Sequence, residues 1–379
     1  MALAFNEEQR SLKDTAKDFA QNKSPVEALR KLRDQNHPVG FSKELWSEMT
    51  ELGWGGMTFP EAYGGFDFGF MGLAGCMEEF GRTLVASPLL STVVLSGSTI
   101  LFAGNEEQKQ ALLPSIASGN KILALALEES VRHNPTGISL QAKSAGDNWI
   151  LDGTKITVID GATAELLVVA ARTSGTPGDQ KGITLFLISP TTPGITVTRT
   201  SLVDSRNYAK VEFREVTVGP EAVLGTVDNG FESLDKALDR GRICLAAEMF
   251  GGIQEAFERT VEYLKERKQF GHLIGSFQAL QHRCAYMYTE IQVCKSALMA
   301  ALDAIELNSK NAPSLVSAAK AKISETFELV TNEATQMHGG IGVTDELEIG
   351  FFLKRARVAQ LLLGDANFHY DRYASLEGF

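Results

Sequence analysis

The periodicity of apolar residues changes twice along this chain, and that double change constrains the fold more than any single motif. In FNEEQRSLKDTAKDFAQ apolar positions recur at helical spacing, and Asn6 is placed to cap a helix ahead of Glu7 and Glu8. GNEEQKQALLPSIASG repeats the arrangement, with its helix expected to end near Gly119. Between them, FPEAYGGFDFGF reads as a glycine- and aromatic-rich loop leading into the helical MGLAGCMEEFGRTL. From about residue 123 the texture turns to short β-rich runs, NWILDGTKITVIDG, ELLVVAART, GITLFLIS, GITVTRT and AKVEFREVTV, punctuated by turn residues. That spacing suits an antiparallel barrel or sandwich. From about residue 229, beginning with FESLDKALDRGRICLAAEMFGGIQEAFERTVEYLKERK, long amphipathic helical patterns return and run to the end. The expected organisation is a helical domain over 1–122, a β domain over 123–228 and a second helical domain over 229–379.

Composition removes several function classes. Of 379 residues, 44% are hydrophobic and 22% charged, the profile of a globular protein large enough for two or three cores. A formal net charge of −11 with no basic stripe argues against nucleic-acid binding. No apolar run approaches the roughly 18–20 residues of a membrane helix. MALAFNEEQRSLKD turns polar too soon for a signal peptide, so a cytoplasmic location is expected. Cys76, Cys244, Cys284 and Cys294 stand singly, which suits buried, reduced thiols, and six scattered histidines show no metal-ligand spacing.

Two short stretches carry chemistry. In ERKQFG, residues 266–271, Arg267 and Lys268 close a long helix, where cations complement the helix dipole and Gly271 can end the helix. The same stretch can hold an anion, because Arg267 offers a planar fork suited to phosphate and Phe270 a flat face for a ring. SFQALQHR starts the next helix with Gln278. In QMHGGIGVT, residues 336–344, Gly339 and Gly340 either cap a helix or let a ligand approach the backbone beside Gln336.

These stretches, with FPEAYGGFDFGF, AGNEEQKQALLPSIASG, WILDGTKITVIDG, NYAKVEFREVTVGPEAVLG and LDRGRICLAAEMFGG, resemble the acyl-CoA dehydrogenase family in order over nearly the whole chain. EFGRTLVASPLL and GSFQALQHR resemble the small, non-catalytic subunits of heteromeric pimeloyl-CoA-type and steroid side-chain dehydrogenases. The resemblance implies an N-terminal helical domain, a middle antiparallel β-barrel and a C-terminal four-helix bundle. It implies FAD, with the nucleotide half held by the neighbouring subunit's bundle, and an acyl-CoA substrate oxidised to 2-enoyl-CoA. A carboxylate takes the α-proton while hydride passes to flavin N5, and electrons leave through an electron-transferring flavoprotein.

Three departures from the family pattern coincide. The position of the usual glutamate base is Leu363, followed by Gly364 and Asp365, and the family's other base position is Gly241. The segment that touches flavin and substrate reads LEESVRHN, with Leu127 at the flavin-bonding hydroxyl and His133 at the pyrophosphate-facing serine. Glu128 survives there, and beside Glu129 it reads as half of a solvated acidic pair. The ring-packing Trp-Ile-Thr is Thr157-Val158-Ile159. The retained set, Arg267, Gln269, Phe270, Gln278, Gln336, Gly339 and Gly340, is the one that reaches a neighbour's FAD. The expectation is therefore a subunit without a base that donates FAD contacts to a homologous catalytic subunit in a heterotetramer, with Arg242 matching the arginine near the thioester. Two alternatives stand beside it. One is a self-sufficient homo-oligomer using Asp365, which otherwise caps the helix ANFHYDRYASL. The other is a flavin-free scaffold.

Overall fold

The computed structural model describes residues 5–379. Helices α1 (Glu7–Lys23), α2 (Val26–Asp34) and α3 (Lys43–Glu51) open the chain. They are followed by α4 (Phe70–Thr83), α5 (Ser98–Ala103) and α6 (Glu106–Ala117), with a π-helical stretch over Leu89–Gly97. Eight strands come next: β1 (Leu123–Ala126), β2 (Gln141–Ala145), β3 (Asn148–Ile159), β4 (Leu166–Arg172), β5 (Ile183–Ile188), β6 (Ile195–Thr200), β7 (Tyr208–Val218) and β8 (Val223–Leu224). After α7 (Phe231–Glu266) a small hairpin, β9 (Lys268–Gln269) and β10 (His272–Leu273), precedes α8 (Gln278–Glu306) and α9 (Ala312–His338). Two shorter helices, α10 (Ile349–Ala359) and α11 (Ala366–Glu377), finish it. Asn6 and Asn105 each close a capping box at the start of α1 and α6, two orphan amides being satisfied at each end.

The chain groups into two compact units. One holds residues up to Lys31 with Phe70–Val85 and Arg242–Phe379. It is helical apart from the β9–β10 hairpin, and α4 crosses α7 so closely that side chains are excluded at the crossing. A Cβ on Gly81 would lie 1.9 Å from Glu248 O, and one on Gly251 1.8 Å from Glu78 O. Lys13 of α1 reaches the buried Glu78 at 2.6 Å. Cys76, Cys244 and Cys294 are buried here and Cys284 is half-buried, all four as free thiols.

The other unit holds Leu32–Gly69 and Ala86–Gly241. Its eight-stranded sheet runs in the order β6-β7-β3-β2-β4-β5-β8, with β1 added beside β4. The sheet is mixed where antiparallel pairing was expected, because β4 takes β1 and one residue of β2 in parallel. Leu151, Val169, Phe186, Val211 and Phe213 fill its core. The long β3 slips register against β7 between Leu151 and Gly153 and again between Lys155 and Val158. The second irregularity contains Thr157, which sits at φ +50°, as a bulged strand permits.

Candidate functional site

The α7 helix ends at Glu266, so Gly271 does not cap it and lies instead in the turn of the β9–β10 hairpin. Arg267 anchors that hairpin through its backbone: its N–H donates to Tyr263 O at 2.9 Å and its carbonyl accepts from Ile274 N at 2.8 Å. Phe270 and Gly271 lie at φ +53° and +77°, the paired positive values that a two-residue type I′ turn needs. The turn holds Phe270 88% exposed, touched edge-on by Phe277 at 6.3 Å. At the far end of α9, His338 stacks on Tyr263 with ring centroids 4.3 Å apart. That stack ties the C-terminal ends of α7 and α9 together, and with them the two predicted stretches. Arg267, Gln269, Phe270, Gln278, Gln336, Gly339 and Gly340 are all exposed around it.

The glycines at this end behave differently from those in the core. Gly339 has φ +67° and ψ −145°, which excludes a side chain on conformational grounds. Gly340 has no positive φ, and a Cβ there would meet no heavy atom within 4 Å. Nothing within this chain demands glycine at 340, so the open space suits a ligand or a second chain that packs on the backbone. An exposed guanidinium, three side-chain amides, an outward aromatic ring and an open Gly-Gly pair fit the nucleotide part of FAD.

The expected base position is closed. Leu363 is 6% exposed and sits at φ +58° in the connector between α10 and α11. The connector is tied inward by its carbonyls. Lys320 of α9, fully buried, donates from Nζ to Gly364 O at 3.1 Å and Ala359 O at 3.3 Å. Leu363 O lies 3.2 Å from His369 Nε2 and 3.4 Å from Nε of the fully buried Arg242. Burial, with the charges of Arg242 and Arg355 beside it, pulls the Lys320 ammonium down to about 7, against the opposing pull of Asp365. Asp365 is the N-cap of α11, its Oδ1 accepting from Phe368 N at 2.8 Å. Glu248 pairs with Arg355 through two contacts of 3.0 and 3.2 Å.

In the other unit, the acidic pair of the LEESVRHN segment is not a solvated one. Glu128 Oε1 is bonded to His133 Nδ1 at 2.5 Å. Glu129 accepts from the fully buried Lys155 at 2.6 Å, and from Ser139 N and Leu140 N. Burial raises the Glu129 carboxyl, but Lys155 and the donated bonds outweigh that and hold it below its ordinary value. Lys155 also donates to Leu127 O at 3.0 Å. Leu127 and Val158 are buried, Val158 within the sheet core. Of the positions corresponding to the family's flavin contacts, only His133 and Thr157 carry polar side chains, and His133 Nδ1 is engaged by Glu128. This set does not fit a flavin ring. Sequence reasoning missed the Lys155–Glu129 pair, since the two residues are 26 positions apart and no local pattern links them.

The chain thus combines a helical segment, a mixed β-sheet and a long-helix bundle that carries an exposed Arg–Gln–Phe and Gly-Gly surface. Comparison with known proteins gives the family. The acyl-CoA dehydrogenase N-terminal, middle and C-terminal domain models match residues 6–120, 124–216 and 228–375. The chain belongs to the acyl-CoA dehydrogenase family, whose members are FAD-dependent flavoproteins. It is 34% identical to the probable acyl-CoA dehydrogenase YngJ of Bacillus subtilis over 95% of both chains. It is 31% identical to subunit CarC of the caffeyl-CoA reductase–Etf complex of Acetobacterium woodii over 96% of both. A chain of the ChsE4–ChsE5 complex from Mycobacterium tuberculosis superposes with a TM-score of 0.90 at 25% identity, covering all of both chains. No helix among the described residues is long and apolar enough to cross a membrane.

Proposed function

We propose that this chain is the FAD-contacting, base-free subunit of a heteromeric acyl-CoA dehydrogenase, an α2β2 assembly that converts an acyl-CoA to a 2-enoyl-CoA. The observation that carries the reading is the asymmetry between the two sets of family positions. The set that reaches a neighbour's cofactor is retained and exposed. Leu363 and Gly241 stand at the two base positions, and neither side chain can accept a proton.

FAD, when bound, supplies the acceptor for the β-hydride. In this chain Arg267 would offer its guanidinium to a phosphate of the cofactor, Gln269, Gln278 and Gln336 would orient the nucleotide part, and Phe270 would offer it a flat face. Gly339 and Gly340 let it approach the backbone. The homologous subunit provides the base that takes the α-proton and the donors for the thioester oxygen. An electron-transferring flavoprotein would be the electron acceptor of the assembly. Two named relatives support such company: CarC belongs to a complex with Etf, and ChsE4–ChsE5 is a complex of two chains.

The test is the ratio of FAD to chain, measured by visible absorbance against protein concentration. The chain purified alone should carry almost none, and co-expression with the homologous subunit should bring one flavin per pair. Arg267→Ala should lower flavin retention in the assembly several-fold with the fold intact. One flavin per lone chain would overturn the reading in favour of a self-sufficient enzyme with Asp365 as base. No flavin in either preparation would leave a scaffold.

A further inference from the structure

Between Gln281 and Ser296, α8 buries one stripe, Met287, Ile291 and Cys294, and leaves its opposite side to solvent. The charged residues of this stretch avoid that open side. Arg283 and Glu290 turn sideways onto α9, where they pair with Glu333 and Lys322. Lys295 stands on the other flank with Tyr288, whose ring leans on Phe257 of α7 at 6.2 Å. Between the flanks runs a crest of Ala285, Tyr286, Thr289, Gln292, Val293 and Ser296, all exposed, with Gln281 and His282 leading into it. At about 100° per residue the crest covers an arc of roughly 140°. That arc holds no Lys, Arg, Asp or Glu, although 22% of the chain is charged and charged residues belong mostly to the surface. Depletion of charge together with an outward tyrosine is the composition of a protein–protein contact.

The relief of the crest says what fits it. Thr289 and Ser296 return their hydroxyls to the helix itself, at 3.0 Å from Ala285 O and 3.1 Å from Gln292 O, so the middle stays low. Tyr286, 57% exposed, and Val293, 47% exposed, rise on one shoulder. Ala285 and Gln292, one small and one long, form the other.

We propose that this crest is a contact between two copies of the chain, α8 crossing α8 antiparallel about a two-fold axis at Thr289. At a rise of about 1.5 Å per residue, positions three before and four after Thr289 come within about 1.5 Å of the same level across the axis. Tyr286 then lies against Val293 of the second copy, Ala285 against Gln292 and His282 against Ser296. Each shoulder meets itself, large beside medium and small beside long, as a two-fold contact requires. Charge favours a second copy too. Each chain carries a net −11, so two copies can abut only where neither presents charge. A partner recognised by its charge finds no counterpart on the crest, and its amides and hydroxyls are too polar to face lipid. The contact is about 24 Å long and buries less than the roughly 800 Å² per partner of a standard interface. Lone chains should therefore associate weakly, with a Kd of about 10–100 μM. In an α2β2 assembly the same contact would join the two halves, but it rests on α8 alone and not on the flavin reading.

The experiment is sedimentation equilibrium of the purified full-length chain from about 1 to about 200 μM, a range that brackets the expected Kd. The wild type should pass from monomer to dimer. Thr289→Lys and Thr289→Glu each set like charges face to face at the axis, and each should weaken association at least tenfold. Thr289 is exposed in the single chain, so both variants should melt within about 1 °C of the wild type at low concentration. An equimolar mixture of the two variants should dimerise again, which damage to the helix could not produce. A wild-type monomer at the highest concentration, a dimer that persists in both variants, or a mixture that stays monomeric would overturn the proposal.

Discussion

Glu129 and Lys155 illustrate how much rests on single residues in the β unit. Lys155 has no exposed surface, and its ammonium is held by the Glu129 carboxylate and the Leu127 carbonyl. Removing one partner strands a buried charge, so Glu129→Ala should cost about 3–5 kcal/mol, while Glu129→Ala combined with Lys155→Met should cost far less. Urea denaturation of the wild type and the two variants checks this, and a double variant no better than the single would refute the pairing argument. Because the Glu129 carboxyl lies below its ordinary value in the folded chain, its contribution is present at neutral pH and is lost as pH falls through the acid range. Asp365 makes a different point. As the α11 cap it should lose about 1 kcal/mol of stability on change to Ala and little on change to Asn. Asp365→Asn should also leave the turnover of the assembled enzyme unchanged. A collapse of turnover with stability intact would make Asp365 the base.

At the scale of elements, the β9–β10 hairpin and the α10–α11 connector are both under local constraint. The hairpin places Phe270 at positive φ with its ring in solvent, a position where Asn or Gly is the relaxed choice and Phe is strained. Phe270→Asn should therefore stabilise the isolated chain by up to about 1 kcal/mol while lowering flavin retention in the assembly, as unfolding midpoints and flavin absorbance would reveal. Lost stability would mean the ring serves the fold. The connector hangs on Lys320, surrounded by Arg242 and Arg355 as like charges and by Asp365 as the opposing one. With a folded value of about 7 against an ordinary 10.5, the unfolded chain holds a proton that the folded chain has released across that window. Stability should consequently rise as pH increases from about 7 towards 10.5, and sit at its lower level below 7. Lys320→Met should remove that rise. Identical pH slopes in the two proteins would show that Lys320 does not titrate there.

For the whole molecule, what could be read in advance was what is local. Asn6 and Asn105 announce capped helices because their partners lie three residues on, and the change of periodicity marks the three textures because side-chain spacing directly reflects backbone geometry. The parallel pairing of β1 with β4 and the pairing of Glu129 with Lys155 depend on contacts between distant segments, which no short pattern encodes. The retained and lost family positions were visible as residue types, but only the structure distinguishes a surface left open, at Gly340, from one filled by the chain itself, at Leu127 and His133. That distinction makes a prediction with two separable readouts. Arg267 is exposed, so Arg267→Ala should lower flavin content in the assembly several-fold and leave the melting temperature of the lone chain within about 1 °C. His133 has a side chain only 2% exposed and bonded to Glu128, so His133→Ala should lower the melting temperature by several degrees and leave flavin content per pair unchanged. If His133→Ala instead stripped flavin while Arg267→Ala did not, the cofactor would be held by this chain's own β unit, and the division of labour between two subunits would have to be reversed.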